Sequence, residues 1–200
     1  MKGIPLNRAT TNSTGPCGKG GTIQLLLFLW AISVPLLGAF WVQFVWNEAP
    51  CPLCLLQRMC MIVAGLGVVW ILSGRTDSDR EVRLSEWSRG FAISVLAATL
   101  GLSISLRQIL LHIAPDDPGF GTPILTYHLY TWAFVIFVAV LLCSGACLLF
   151  ARSLAPANAV GKMPQVTRVS VGLFGLLILA NALIVSYSAV TRILAAGDLP

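Results

Sequence analysis

Five apolar runs, each about twenty residues or longer, leave this chain few ways to fold. They span residues 22–45, 51–72, 90–113, 125–150 and 169–187. A helix of about twenty apolar residues crosses a hydrocarbon layer roughly 30 Å thick. Within that layer each backbone N–H and C=O must be satisfied inside the segment, so each run reads as a transmembrane helix. Composition agrees, with 56% hydrophobic and 10% charged residues, where soluble domains carry about 25% charged. The alternating ten-residue pattern of a membrane β-barrel is absent. The expected class is an all-α integral membrane protein, a four-helix transmembrane bundle followed by a fifth C-terminal transmembrane helix.

The chain divides accordingly. Residues 1–21 read as a disordered cytoplasmic tail, rich in Gly, Thr, Asn and Pro. Residues 22–152 hold the four-helix domain, 153–168 a cytoplasmic connection, and 169–200 the extra helix with a short tail. No cleavable signal peptide is expected, because the first run is too long and no small-residue cleavage site follows it. The formal net charge is +5, but it does not point to nucleic acid, since most of the basic residues sit in the tail and connections. The tail carries Lys2, Arg8 and Lys19; the second connection Arg75, Arg80, Arg83 and Arg89; the fourth Arg152, Lys162 and Arg168. The first and third connections carry none. The positive-inside rule then puts the N-terminus in the cytoplasm and the first and third connections outside. In a bacterium this means a multi-pass inner-membrane protein with those connections in the periplasm, where disulfides persist. Trp41 and Trp46, and later Tyr127, His128, Tyr130 and Trp132, mark interfacial belts. Pro35 and Gly38 make a kink in the first span plausible.

The chemistry concentrates in Cys51-Pro52-Leu53-Cys54-Leu55-Leu56-Gln57-Arg58. Pro52 suits a first helical turn, where its missing N–H costs nothing. A Cys-x-x-Cys pair is thereby set at a helix N-terminus, where unpaired N–H groups and the dipole favour a thiolate. Arg58 follows Cys54 by four residues and shares its helix face. A guanidinium there can stabilise a thiolate or the anion of a reduced acceptor, and at that depth it should face the bundle or a ligand. The competing uses are a structural disulfide and a zinc site, which would need two further ligands. His112 and His128 could in principle reach the same face. Arg107 and Gln108 form a second polar cluster, read either as a snorkelling cation or as a second positive group lining the outer cavity.

The other cysteines read differently. Cys17 is an incidental thiol in the tail. Cys60, Cys143 and Cys147 lie within apolar spans and suit small packing residues. With a rise of about 1.5 Å per residue, Cys143 is about 24 Å from the outer end of its helix, too far for direct exchange with the outer pair. Asn181 in the fifth span suits an interhelical hydrogen bond, and His128 an interfacial one.

These residues resemble the DsbB family of inner-membrane disulfide oxidases. The resemblance covers about residues 22–152. It rests on the Cys51–Arg58 stretch opening the second span and on Tyr127-His128-Leu129-Tyr130-Thr131-Trp132-Ala133-Phe134 opening the fourth. It implies a four-helix bundle that reoxidises a periplasmic DsbA-like thiol oxidase and passes electrons to the membrane quinone pool, as ubiquinone or menaquinone. By resemblance, Cys51 and Cys54 are the catalytic pair, with Cys54 nearer the quinone. Arg58 is the arginine that supports quinone binding, and Arg107 and Trp132 are further candidates for lining the pocket. No metal is implied. Two features depart from the family pattern. Members usually carry a second cysteine pair in the second outer loop, whereas Ala114 to Thr126 contains none. The fifth span is also additional. The missing loop cysteines keep a second reading open, a non-catalytic membrane scaffold or assembly factor. Because a sequence carries no redox potential, a third stays open as well, a quinone-linked thiol reductase of the vitamin K epoxide reductase type.

Overall fold

The computed structural model describes residues 17–48, 50–73, 84–114, 119–154 and 165–197. Most of the basic tail, Arg75, Arg80, Arg83, Pro115 to Pro118 and Lys162 lie outside the described residues. The chain runs through α1 (Cys17–Val45), α2 (Pro52–Ser73), α3 (Leu84–Leu111), α4 (Leu129–Leu149), the single turn α5 (Ala151–Leu154) and α6 (Gln165–Gly197). All but α5 contain a segment long and apolar enough to cross a membrane. Among the described residues there is no strand, only an isolated bridge between Ile124 and Tyr127.

The tightest helix contacts follow small residues. In hydrocarbon, helices gain little from burying apolar surface and associate through close packing and interhelical hydrogen bonds. Gly67 of α2 meets Gly90 of α3 so closely that a Cβ on Gly67 would stand 2.3 Å from the Gly90 carbonyl oxygen. Ser94 Oγ donates across the same seam to the Ala64 carbonyl at 2.7 Å. Between α3 and α4, the Phe137 ring fills the space that a side chain at Gly101 would need. The Trp87 indole N–H, fully buried, donates to the Cys147 carbonyl at 2.9 Å.

α3 begins six residues before the expected start at Gly90. The early turns carry Glu86 and Arg89, which lower the hydropathy, yet Trp87, Gly90, Phe91 and Ser94 form one buried face at helical spacing. α6 joins the bundle along α1 and α2. Trp30 Nε1 donates to Ser170 Oγ at 3.2 Å, the Phe174 ring lies over Gly65, and Asn181 Nδ2 donates to Met59 Sδ at 3.2 Å. α1 runs unbroken through Pro35. From Leu27 to Gln43 it borders a space between itself, α4 and the start of α2, and that space becomes the site.

Candidate active site

Cys51 caps α2. It is the last residue before the helix, its carbonyl accepts the Leu55 N–H at 3.1 Å, and its sulfur accepts the Cys54 N–H at 3.1 Å. That is the pattern by which Ser or Asp caps a helix, here performed by a thiol. The ordinary thiol value of 9.0 falls at Cys51 to about 6. The hydrogen bond from the Cys54 thiol is the largest cause, and burial opposes it; the Cys54 N–H and the Gln108 amide lower it further. The first sulfur is therefore set to be a thiolate near neutral pH.

Gln108, from α3, reaches both sulfurs. Its Nε2 lies 3.4 Å from Cys51 Sγ and 3.7 Å from Cys54 Sγ. Its Oε1 accepts from Gln57 Nε2 at 3.0 Å, and both glutamines are buried, at 2% and 3% exposure. Its neighbour Arg107 is exposed and lies outside the cavity lining.

Arg58, only 7% exposed, points inward. Its Nη1 donates to Gln43 Oε1 at 2.8 Å and its Nη2 to the Ala39 carbonyl at 3.1 Å, while its guanidinium sits 5.4 Å from the Phe40 ring centroid. All three partners come from α1. Among the described residues no carboxylate is hydrogen-bonded to it, so neutral oxygens orient the cation without cancelling its charge. A buried cation held this way is costly, and its charge is suited to an anion or a polarised acceptor.

Arg58 and Cys54 line a cavity of about 780 Å³ between α1, α2, α4 and the 119–128 loop. Cys51 is not among the lining residues. The walls are almost wholly apolar; Leu27, Val34 and Leu125, exposed at 66%, 60% and 78%, stand at a rim open to the lipid-facing surface. Trp132 lines it too, with its indole N–H fixed on the Ile124 carbonyl at 3.1 Å.

The 119–128 loop closes the cavity from above. Ile124 and Tyr127 exchange backbone hydrogen bonds at 2.9 and 3.2 Å around Leu125 and Thr126. Both central residues have positive φ, 49° and 77°, a conformation that suits glycine and strains a β-branched threonine. Glu48, beside the cysteine pair in sequence, clamps this loop. It accepts the Thr122 N–H at 3.0 and 3.3 Å and the Thr122 hydroxyl as well. His128 and His112 both stack on Tyr130, with ring centroids 5.3 and 5.7 Å away. Among the described residues no group of three metal-ligating side chains forms.

Of the residues singled out from sequence, Cys51, Cys54, Arg58 and Trp132 come together here, and Arg107 does not join them. The Gln57–Gln108 link, the α1 acceptors of Arg58 and the Glu48 clamp were not read from the sequence. A polar residue inside an apolar span generally faces a partner, so Gln43, Gln57 and Gln108 carried a signal, but nothing in one sequence pairs them. Cys60 and Cys147 are buried, as packing residues should be, whereas Cys143 is exposed on the outer face of α4.

The comparisons with known proteins bear on the same half of the chain. The family model for the disulfide bond formation protein DsbB matches residues 22–122. Disulfide bond formation protein B from Burkholderia pseudomallei is 32% identical over 99 residues, covering 49% of this chain and 53% of the relative. The protein of that name from Stutzerimonas stutzeri is 34% identical over 82 residues, covering 40% and 45%. The chain thus spans about half the length of the curated relatives it matches. No solved structure gives a significant match. With the family model covering half of its length, and with the cysteine pair and its arginine inside the matched region, this chain belongs to the DsbB family.

Proposed function

We propose that this chain is a membrane thiol:disulfide oxidoreductase that oxidises a periplasmic DsbA-like protein and passes the electrons to a membrane quinone, ubiquinone or menaquinone. The observation that carries this reading is the division of the cysteine pair: Cys54 lines the apolar cavity with Arg58, and Cys51 does not.

The residues present suit a quinone. The cavity offers apolar walls, an exposed apolar rim and a cation with no carboxylate partner among the described residues. Arg58 and Trp132 would hold the head group. When bound, a quinone supplies an acceptor for two electrons and two protons. The rest is thiol–disulfide exchange. A partner thiolate attacks Cys51 Sγ of the oxidised pair, the Cys51–Cys54 bond breaks, and Cys54 leaves as a thiolate facing the cavity. The partner's second thiol then attacks the mixed disulfide and releases Cys51, which its cap makes a good leaving group. The partner has lost two electrons and two protons and holds a disulfide. Closing the Cys51–Cys54 bond again returns those electrons and protons to the acceptor. Arg58 stabilises negative charge as it develops at the cavity wall, in a site where such stabilisation is strong.

The loop from Ala114 to Thr126 carries no cysteine, so in this reading one pair serves both protein and quinone. The thiolate-stabilising cap on Cys51 favours a working pair over a scaffold that has lost its chemistry. The test is to trap mixed disulfides on a Cys54→Ala chain in cells. Capture of a periplasmic DsbA-like protein through Cys51 is expected. Capture of none, together with unchanged periplasmic thiol oxidation in that variant, would overturn the reading.

A further inference from the structure

We infer that Gln57 is a positioning residue: by holding the carboxamide of Gln108, it keeps an N–H donor aimed at both sulfurs and so sets the thiolate character of the pair. The inference rests on the redox reading of Cys51 and Cys54 and adds a tuning element to it.

A carboxamide has a donor end and an acceptor end, and rotation by half a turn exchanges them. A thiolate only accepts. Gln108 can stabilise one only if its NH2 faces the sulfurs, which sends Oε1 the other way, into the buried interior. There Oε1 needs a donor, and Gln57 Nε2 supplies it at 3.0 Å. Gln57 lies one turn below Cys54 on α2, and Gln108 lies opposite on α3. The relay thus crosses the α2–α3 seam that the glycine contact holds close. Nε2 is nearer Cys51 than Cys54, 3.4 against 3.7 Å, so the donor favours the capping sulfur while touching both. Among the described residues, the other charged or titratable groups near the pair are Arg58 on α2, Glu48 in the preceding connection, Arg107 and His112 on α3, and Tyr130 of α4, which lines the cavity with Cys54. None of them is altered by the two glutamine substitutions.

The test uses the full chain in lipid nanodiscs, with Cys17, Cys60, Cys143 and Cys147 replaced by Ala so that only the pair reports. Two quantities are measured: the pH profile of Cys51 alkylation in the reduced chain, and the thiol–disulfide equilibrium of the pair against glutathione. Gln108→Met removes the donor; the midpoint of the alkylation profile should rise by about one pH unit, and the disulfide should become harder to reduce in parallel. Gln57→Met touches neither sulfur, yet should move both readouts the same way. The double variant should be no worse than Gln108→Met alone, because both changes break one chain of bonds. Gln108→Asn, which keeps the amide but withdraws it, should fall between wild type and Gln108→Met, and it stands in if the Met variant fails to fold. A Gln57→Met profile identical to wild type, or effects that simply add, would overturn the inference. If the wild-type thiols never equilibrate with glutathione, the redox reading fails instead, an outcome distinct from a cycling wild type with unchanged variants.

Discussion

The chain carries two close cysteine pairs at opposite helix ends, and their surroundings could hardly differ more. Cys51 and Cys54 open α2. Backbone N–H groups, the Gln108 amide and a buried guanidinium converge there, each favouring negative charge. Cys143 and Cys147 fall in the last two turns of α4, toward its carbonyl end. Cys143 faces outward, and Cys147 is buried against α1, where the Gln24 amide reaches its sulfur at 3.0 Å. Both pairs lie on or at the end of helices long and apolar enough to cross a membrane. The two pairs thus differ in the helix end they occupy and in the donors that end brings with it.

The contrast can be broken by mutation, and the largest effect should come first. Cys54→Ser should reduce quinone-linked oxidation of a dithiol protein to the uncatalysed background, whereas Cys143→Ala and Cys147→Ala should leave turnover unchanged. Stopped turnover in Cys147→Ala would erase the distinction. Next, Arg58→Met should lower turnover by about 10²–10³-fold, the usual loss when one preorganised charge stabiliser is removed. Alkylation of Cys51 should survive in that variant, and Arg58→Lys should recover part of the rate.

A substitution in the packed half should act differently. Gly67→Leu forces a side chain against the Gly90 carbonyl, so the bundle should lose about 1–3 kcal/mol in an unfolding titration, with the surviving folded fraction still active. The pH response sharpens the contrast further. Cys51 is held at about 6 in the folded reduced chain, below the ordinary 9.0. Its contribution to the stability of that form is complete above pH 9 and is lost as pH falls through 6. The potential of the Cys51–Cys54 couple should accordingly change by about 59 mV per pH unit below that point and about 30 mV above it, as one fewer proton accompanies the two electrons. A single slope across this range would contradict the cap. The smallest effect concerns the lid turn. Thr126→Gly relieves a positive φ and should stabilise the chain by about 1 kcal/mol, with little change in rate.

Much of this was legible in the sequence because hydrocarbon imposes simple rules. Span length and apolarity gave five helices, and Pro52 announced where α2 begins. The Cys54 to Arg58 spacing put thiol and cation on one helical face, and both line the cavity. What stayed hidden needed contacts between distant segments. Residue 57 and residue 108 meet across the α2–α3 seam, and Arg58 takes its acceptors from α1, fifteen and nineteen positions away. Local patterning also misplaced boundaries: the charged start of α3 looked like a loop because Glu86 and Arg89 masked the buried Trp87 face. Likewise Leu125 to His128 reads as apolar and aromatic helix, but it folds as a turn with positive φ at Leu125 and Thr126, in the loop that Glu48 holds at Thr122.

The central claim is that Cys51 and Cys54 alone carry electrons from protein to quinone. The most direct measurement is quinone reduction by a reduced DsbA-like protein, using purified chain in which Cys17, Cys60, Cys143 and Cys147 are all Ala. Turnover equal to the parent chain, abolished by adding Cys54→Ser, is the expected result. Loss of turnover in the folded two-cysteine chain would mean that another thiol belongs to the relay, and would contradict the claim.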